Sequence, residues 1–136
     1  MGLDMYAYVA ARKGQQEDYW AGAYFDEDAK EYGNPEVTKP LEIAYWRKHP
    51  NLHGWMENLY RERGGGKSFN GIELELTLED IDRLEADIQA SHLPETAGFF
   101  FGDPSDDYYR ENDLEFIKAA RTHLFLGLKV FYNSSW

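Results

Sequence analysis

In the segment AYWRKHPNLHGWMEN, residues 44–58, His49, His53 and Glu57 fall at i, i+4 and i+8. On one helical stripe, two imidazoles and a carboxylate suit zinc or another divalent ion, which would make a small metal-dependent hydrolase supported by Asp4. Pro50 works against this. The residue before a proline is biased away from helical angles, and proline itself fits the first helical position. That places His49 at the helix cap, off the stripe, with His53 half-buried behind it. No HExxH pair and no assignable third ligand occur, so no metal or other cofactor is expected.

The same segment offers a second chemistry. Arg47, Lys48 and His53 are donors for a phosphate or carboxylate, and they stand among rings at Trp46, Trp55, Phe100, Tyr108 and Tyr109. Cations flanked by aromatic residues read as an anion-binding pocket or as a patch for a protein partner. Asp4 lies among apolar neighbours in the first strand and must find donors. Arg47 or Lys48 is the expected structural partner. GGGKS is not a phosphate loop: Arg61 occupies the position of the leading glycine, and the loop runs from helix to strand. Asp103, Asp106 and Asp107 do not follow the spacing of a calcium loop, and Ser105 or Asp106 reads better as a helix cap. No G-x-S-x-G elbow is present.

Composition narrows the classes of partner. A formal charge of −11 argues against direct binding to nucleic-acid backbones, which takes clustered lysine and arginine. It leaves room for a basic protein partner, or for an acidic inhibitor that mimics nucleic acid with the carboxylates at 73–87 and 103–115. There is no cysteine, hence no disulfide and no thiolate metal site. The N-terminus MGLDMYAY carries neither a signal-peptide pattern nor a myristoylation signal, and no apolar run reaches membrane-spanning length. A cytoplasmic protein is the expectation.

The elements that must position these residues are those of an α+β domain. Residues 3–9 alternate apolar and polar as a strand that is central or well anchored. Residues 13–40 form a long polar excursion, with a short strand or helix around Tyr19 to Phe25. The piece 41–48 is ambiguous between strand and helix, and a helix follows over about 50–62. Asn70-Gly71 is a hairpin turn signal before a strand at Ile72, Leu74 and Leu76. Thr77-x-x-Asp80 is a capping box opening a helix with Leu78, Ile81, Leu84 and Ile88 on one face, and Glu79 with Arg83 forms an i,i+4 pair. A last helix runs from about Asp107 to Phe125, stops at Gly127, and gives way to the strand LKVFYN. Together these predict one domain over 1–136, a small and mostly antiparallel sheet with about three helices on one face.

MGLDMYAY at the start, AYWRK at 44–48, His53 with Trp55, AGFFFG at 97–102 before Tyr108-Tyr109, and the ending FYNSSW resemble a family of small proteins of tailed bacteriophages and prophages. Pro50 before Asn51, and Met56 in place of a phenylalanine, depart from its pattern. The resemblance implies a phage accessory protein acting in the bacterial cytoplasm. It would bind a host protein or a small anionic signalling molecule of host defence. The aromatic residues would equally serve a homodimer interface.

Overall fold

The computed structural model describes residues 3–12, 24–26, 31–33, 41–94 and 106–136. Strand β1, Asp4–Arg12, is paired along both edges. It runs antiparallel to β4, Leu41–Arg47, on one side and to β6, Lys129–Ser135, on the other. Strand β5, Leu74–Leu76, adds antiparallel to β6, giving the order β4-β1-β6-β5. Within the excursion, β2, Tyr24–Asp26, pairs in parallel with Ala11 and Arg12 of β1, and β3, Glu31–Gly33, runs antiparallel to β2. Among the described residues the architecture is α+β, with an antiparallel four-stranded sheet and three helices.

The segment 41–48 is a strand as far as Arg47. A bulge hid its period: Ala7 faces Ala44 but Tyr8 faces Glu42, so Ile43 has no opposite number and the alternation slips. Lys48 closes the strand in the left-handed region at φ 57°, its N–H donating to the Leu3 carbonyl at 2.8 Å. That reversal delivers His49 and Pro50 to the start of helix α1, Pro50–Glu62.

Helix α1 begins where the proline predicts, but it is not simply amphipathic. Every residue from Pro50 to Met56 is buried, and only from Glu57 onward does the helix reach solvent. Helix α2, Leu78–Gln89, has the predicted capping box: the Asp80 N–H donates to the Thr77 hydroxyl at 3.2 Å, and the Thr77 N–H to the Asp80 carboxylate at 2.9 Å. The expected Glu79–Arg83 pair gives way to a longer reach. Arg83 instead meets Glu62 of α1 at 3.4 Å. Helix α3, Asp106–Phe125, ends at Gly127 in the left-handed region, φ 85°. Arg121 ties it to α2 through Asp82 at 2.8 Å and Glu85 at 3.0 Å.

Asn70-Gly71 does not make a hairpin, because the neighbour of β5 is β6. Gly71, at φ 73°, turns the chain and donates to the Ser134 carbonyl at 2.7 Å, while the Asn70 amide reaches the Trp136 carbonyl at 3.2 Å. The pair brackets the end of β6.

All three helices pack on one face of the sheet. Leu3 and, from β1, Met5, Ala7 and Val9 join Trp46, Leu52, Met56, Leu76, Ile81, Leu84, Phe116, Ile117 and Val130 in the main core. Burying side chains of this size contributes about 1.5–3 kcal/mol each. The opposite face has a separate small cluster, Ala10 with Phe131.

Candidate functional site

Trp46, Arg47, Lys48, Tyr108 and Tyr109 are brought together at the corner where β4 turns into α1 and the first turn of α3 passes over it. Trp46 points inward as the strand alternation requires and is fully buried, edge-on to Phe116 with centroids 5.1 Å apart. Its indole N–H donates to Asp113 Oδ1 at 2.8 Å. The second oxygen, Oδ2, meets His49 Nε2 at 2.8 Å. An ionised carboxylate only accepts, so the shared proton sits on Nε2. His49 does occupy the cap position of α1, but its side chain caps nothing and turns into this buried knot instead. Its ring stacks on Tyr109, 4.8 Å between centroids and 22° between planes.

Tyr109 also fastens the strand end. Its hydroxyl accepts from the Arg47 N–H at 3.3 Å and donates to the Arg47 carbonyl. One turn on, Asn112 donates to the Tyr45 carbonyl at 3.4 Å. Helix α3 therefore satisfies backbone groups along the outer edge of β4, which would otherwise offer a template to another strand. Above this scaffold Arg47 and Lys48 are exposed, and Tyr108 is 81% exposed, its ring edge-on to Tyr109.

His53 and Trp55 do not join the corner. His53 is fully buried, not half-buried, because the start of α1 is enclosed all round. Its Nδ1 meets the Tyr132 hydroxyl at 2.7 Å, and its ring packs against Phe69 and Trp136. Burial pushes its pKa down from 6.5 to about 4, and pushes the Tyr132 hydroxyl well above 10. Trp55 is buried between α1 and α2, donating to Asp87 at 2.8 Å. Asp4 accepts from the Tyr45 hydroxyl at 2.7 Å, so the donor beside it is a phenol of β4 rather than the expected ion-pair partner. Phe100, with Asp103 and Ser105, lies outside the described residues.

The metal stripe does not assemble. His49 turns to Asp113, His53 to Tyr132, and Glu57 to Arg61 at 3.0 Å. Among the described residues no group of three His, Asp or Glu side chains can hold a metal ion. The GGGKS loop is a tied connection: Arg61 donates to the carbonyls of Gly65 at 3.0 Å and Lys67 at 2.8 Å. A Cβ at Gly65 would lie 2.3 Å from the Tyr60 ring, so only glycine permits that approach. A cleft of about 530 Å³ beside it is lined by Tyr60, Arg63, Leu74, Glu75 and Thr77, none of them predicted site residues.

Asp113 escaped the sequence reading, although its position carries a signal. It lies four residues before Ile117 and seven before Ala120, on the apolar stripe of α3, where a carboxylate must be buried and must be met by donors. Among the described residues no helix is long and apolar enough to cross a membrane. No protein-family model, no curated protein and no solved structure matches this chain.

Proposed function

We propose that this chain is a phage accessory protein that acts in the bacterial cytoplasm by binding a host protein, without catalysis. The observation that carries the reading is the division at the β4–α1 corner. The groups with the look of catalysts, His49 and Asp113, are buried against each other and Trp46. Of the groups that face solvent, Arg47 and Lys48 stand at a strand end that Tyr109 holds through both backbone groups of Arg47, and Tyr108 stands beside Tyr109 on α3. General acid–base work needs a group within reach of a substrate proton, and neither buried histidine has exposed surface.

The choice of a protein over a small anion follows from enclosure. A pocket for a small ligand surrounds most of its surface, and the residues that would wall one, Trp46, Trp55 and His53, are spent in the core. An exposed arginine and tyrosine on a rigid frame are common anchors of protein interfaces. Acidic mimicry draws less support: Asp80, Asp82, Glu85, Asp87 and Asp113 each have a donor within the fold. The phage origin and the compartment rest on the resemblance of the motifs.

The test is capture from bacterial lysate on the immobilised protein, alongside thermal-shift measurements with nucleotides and with zinc. The wild type is expected to retain a host protein in the presence of chelator, and the Arg47→Glu/Lys48→Glu variant to lose it. Failure to capture, together with a nucleotide that raises the melting temperature, would install the small-anion reading. A zinc-dependent rise would reinstate the hydrolase.

A further inference from the structure

The face of the sheet turned away from the helices has its own organisation. Strand pairing places Asp4 beside Arg47, Tyr6 beside Tyr45, and Tyr8 beside Glu42, with side chains of paired residues on the same face. Tyr6 forms the hub: its ring centroid lies 5.2 Å from Tyr45 and 5.9 Å from Tyr8, the latter nearly parallel at 16°. One end of this face is closed, with Ala10 and Phe131 buried and Lys129 paired to Glu75 at 2.9 Å. The tyrosine end is open: Tyr45 is 43% exposed, Tyr6 and Tyr8 are half-buried, and Glu42 and Glu73 are exposed at its margin. Glu73 is oriented there by the Asn133 amide at 2.7 Å.

Carboxylates outnumber cations at this end, with Asp4, Glu42 and Glu73 set against Arg47 at the Asp4 corner. The Tyr45 hydroxyl is committed to Asp4, which raises its pKa, and Tyr8 is raised by burial and by Glu42, Tyr6 and Glu73. Ring faces carry negative quadrupole charge, so three rings within a carboxylate rim attract a cation from above and from the side. A planar guanidinium fits better than an ammonium, because it stacks on a ring while its N–H groups reach carboxylates. An aromatic sheet face would otherwise suit stacked nucleotide bases, but a carboxylate rim repels their phosphates.

We propose that the open face formed by Tyr6, Tyr8 and Tyr45, rimmed by Asp4, Glu42 and Glu73, is a docking surface for an arginine-rich segment of a partner protein. The assignment rests on the reading of the chain as a binding protein and names the chemistry of what it binds. Charge complementarity selects the occupant, since the chain as a whole carries −11.

The probe is a fluorescein-labelled Gly-Arg repeat of nine residues, with a Gly-Lys repeat and a labelled single-stranded oligonucleotide as comparisons, read by anisotropy on the full chain. The arginine peptide is expected to bind more tightly than the lysine peptide, and the oligonucleotide not at all. Tyr45→Ala and Glu42→Gln/Glu73→Gln are each expected to weaken the arginine peptide at least tenfold, with Tyr45→Phe keeping most of the affinity as a folded control. Glu111→Gln/Glu115→Gln removes the same charge from the exposed side of α3 and is expected to change it less than twofold. Equal loss in that control, no effect of Tyr45→Ala, or no binding by the wild type would overturn the assignment. So would an oligonucleotide that binds and is lost in Tyr45→Ala. If any of these occurs while the host protein is still captured from lysate, the face is wrong and the binding function stands.

Discussion

Two histidines four residues apart, His49 at the cap of α1 and His53 within it, occupy opposite kinds of interior. His49 is buried against a carboxylate that also holds an indole, so its Nε2 edge meets a polar group while one ring face lies on Tyr109. His53 is buried among Phe69, Tyr132 and Trp136 and meets one phenol, so its site favours the neutral ring. The neighbours, not the residue type, decide what each ring meets, and at His53 burial favours the neutral form. The sequence spacing that made the pair look like metal ligands says nothing of this.

The sharpest way to break the comparison is at Asp113. Replacing it by alanine leaves the Trp46 N–H and the His49 ring buried without their acceptor, and is expected to cost about 3–5 kcal/mol in urea unfolding. A loss below about 1 kcal/mol would mean the knot is not the polar centre described. Acid comes next, and it acts on the other histidine. His53 takes up a proton at about pH 4 when folded and near its ordinary value of 6.5 when unfolded. Between those values the unfolded chain holds more protons. Stability from this group is therefore complete above pH 6.5 and drains as pH falls towards 4, by about 3 kcal/mol in all. His53→Leu should flatten that part of the urea midpoint's dependence on pH, and equal slopes in variant and wild type would refute the neutral-ring account.

Tyr132→Phe sharpens the contrast at lower amplitude. It removes the hydroxyl partner of His53 but keeps the packing, for an expected loss of about 1–2 kcal/mol. Thr77→Ala sets the scale for a partner at an exposed helix cap, about 1 kcal/mol by the same measurement. Should Tyr132→Phe cost no more than Thr77→Ala, the His53 site would owe its stability to its rings alone.

Local signals were legible and pairing was not. Pro50, the Thr77–Asp80 box and Gly127 each act within a turn of the chain, and each set its helix end where the structure has it. The bulge at Ile43 needs the partner strand before it can be seen, which is why 41–48 read as either helix or strand. The tyrosines of β1 fell on the polar side of its alternation and looked like ordinary solvent-facing residues. Only the register with β4 sets Tyr45 against Tyr6 and assembles the open face. Asp113 was legible in principle from its place on an apolar stripe, but its donors come from 64 and 67 residues away. Arg47 and Lys48 were rightly separated from the core, whereas His53 and Trp55 went into it because α1 is enclosed on all sides at its start.

The pairing of β1 with β6 has a consequence in time. Strand β1 is held in the middle of the sheet by β6, from far along the chain, while its other edge waits for β2 and β4. Contacts this distant along the chain slow folding, since the loop between them must be closed before the pairing rewards it. During synthesis, then, β1 leaves the ribosome with one edge that nothing yet made can cover. Its flank of tyrosines and its apolar inner face stay open to other partners until β6 arrives.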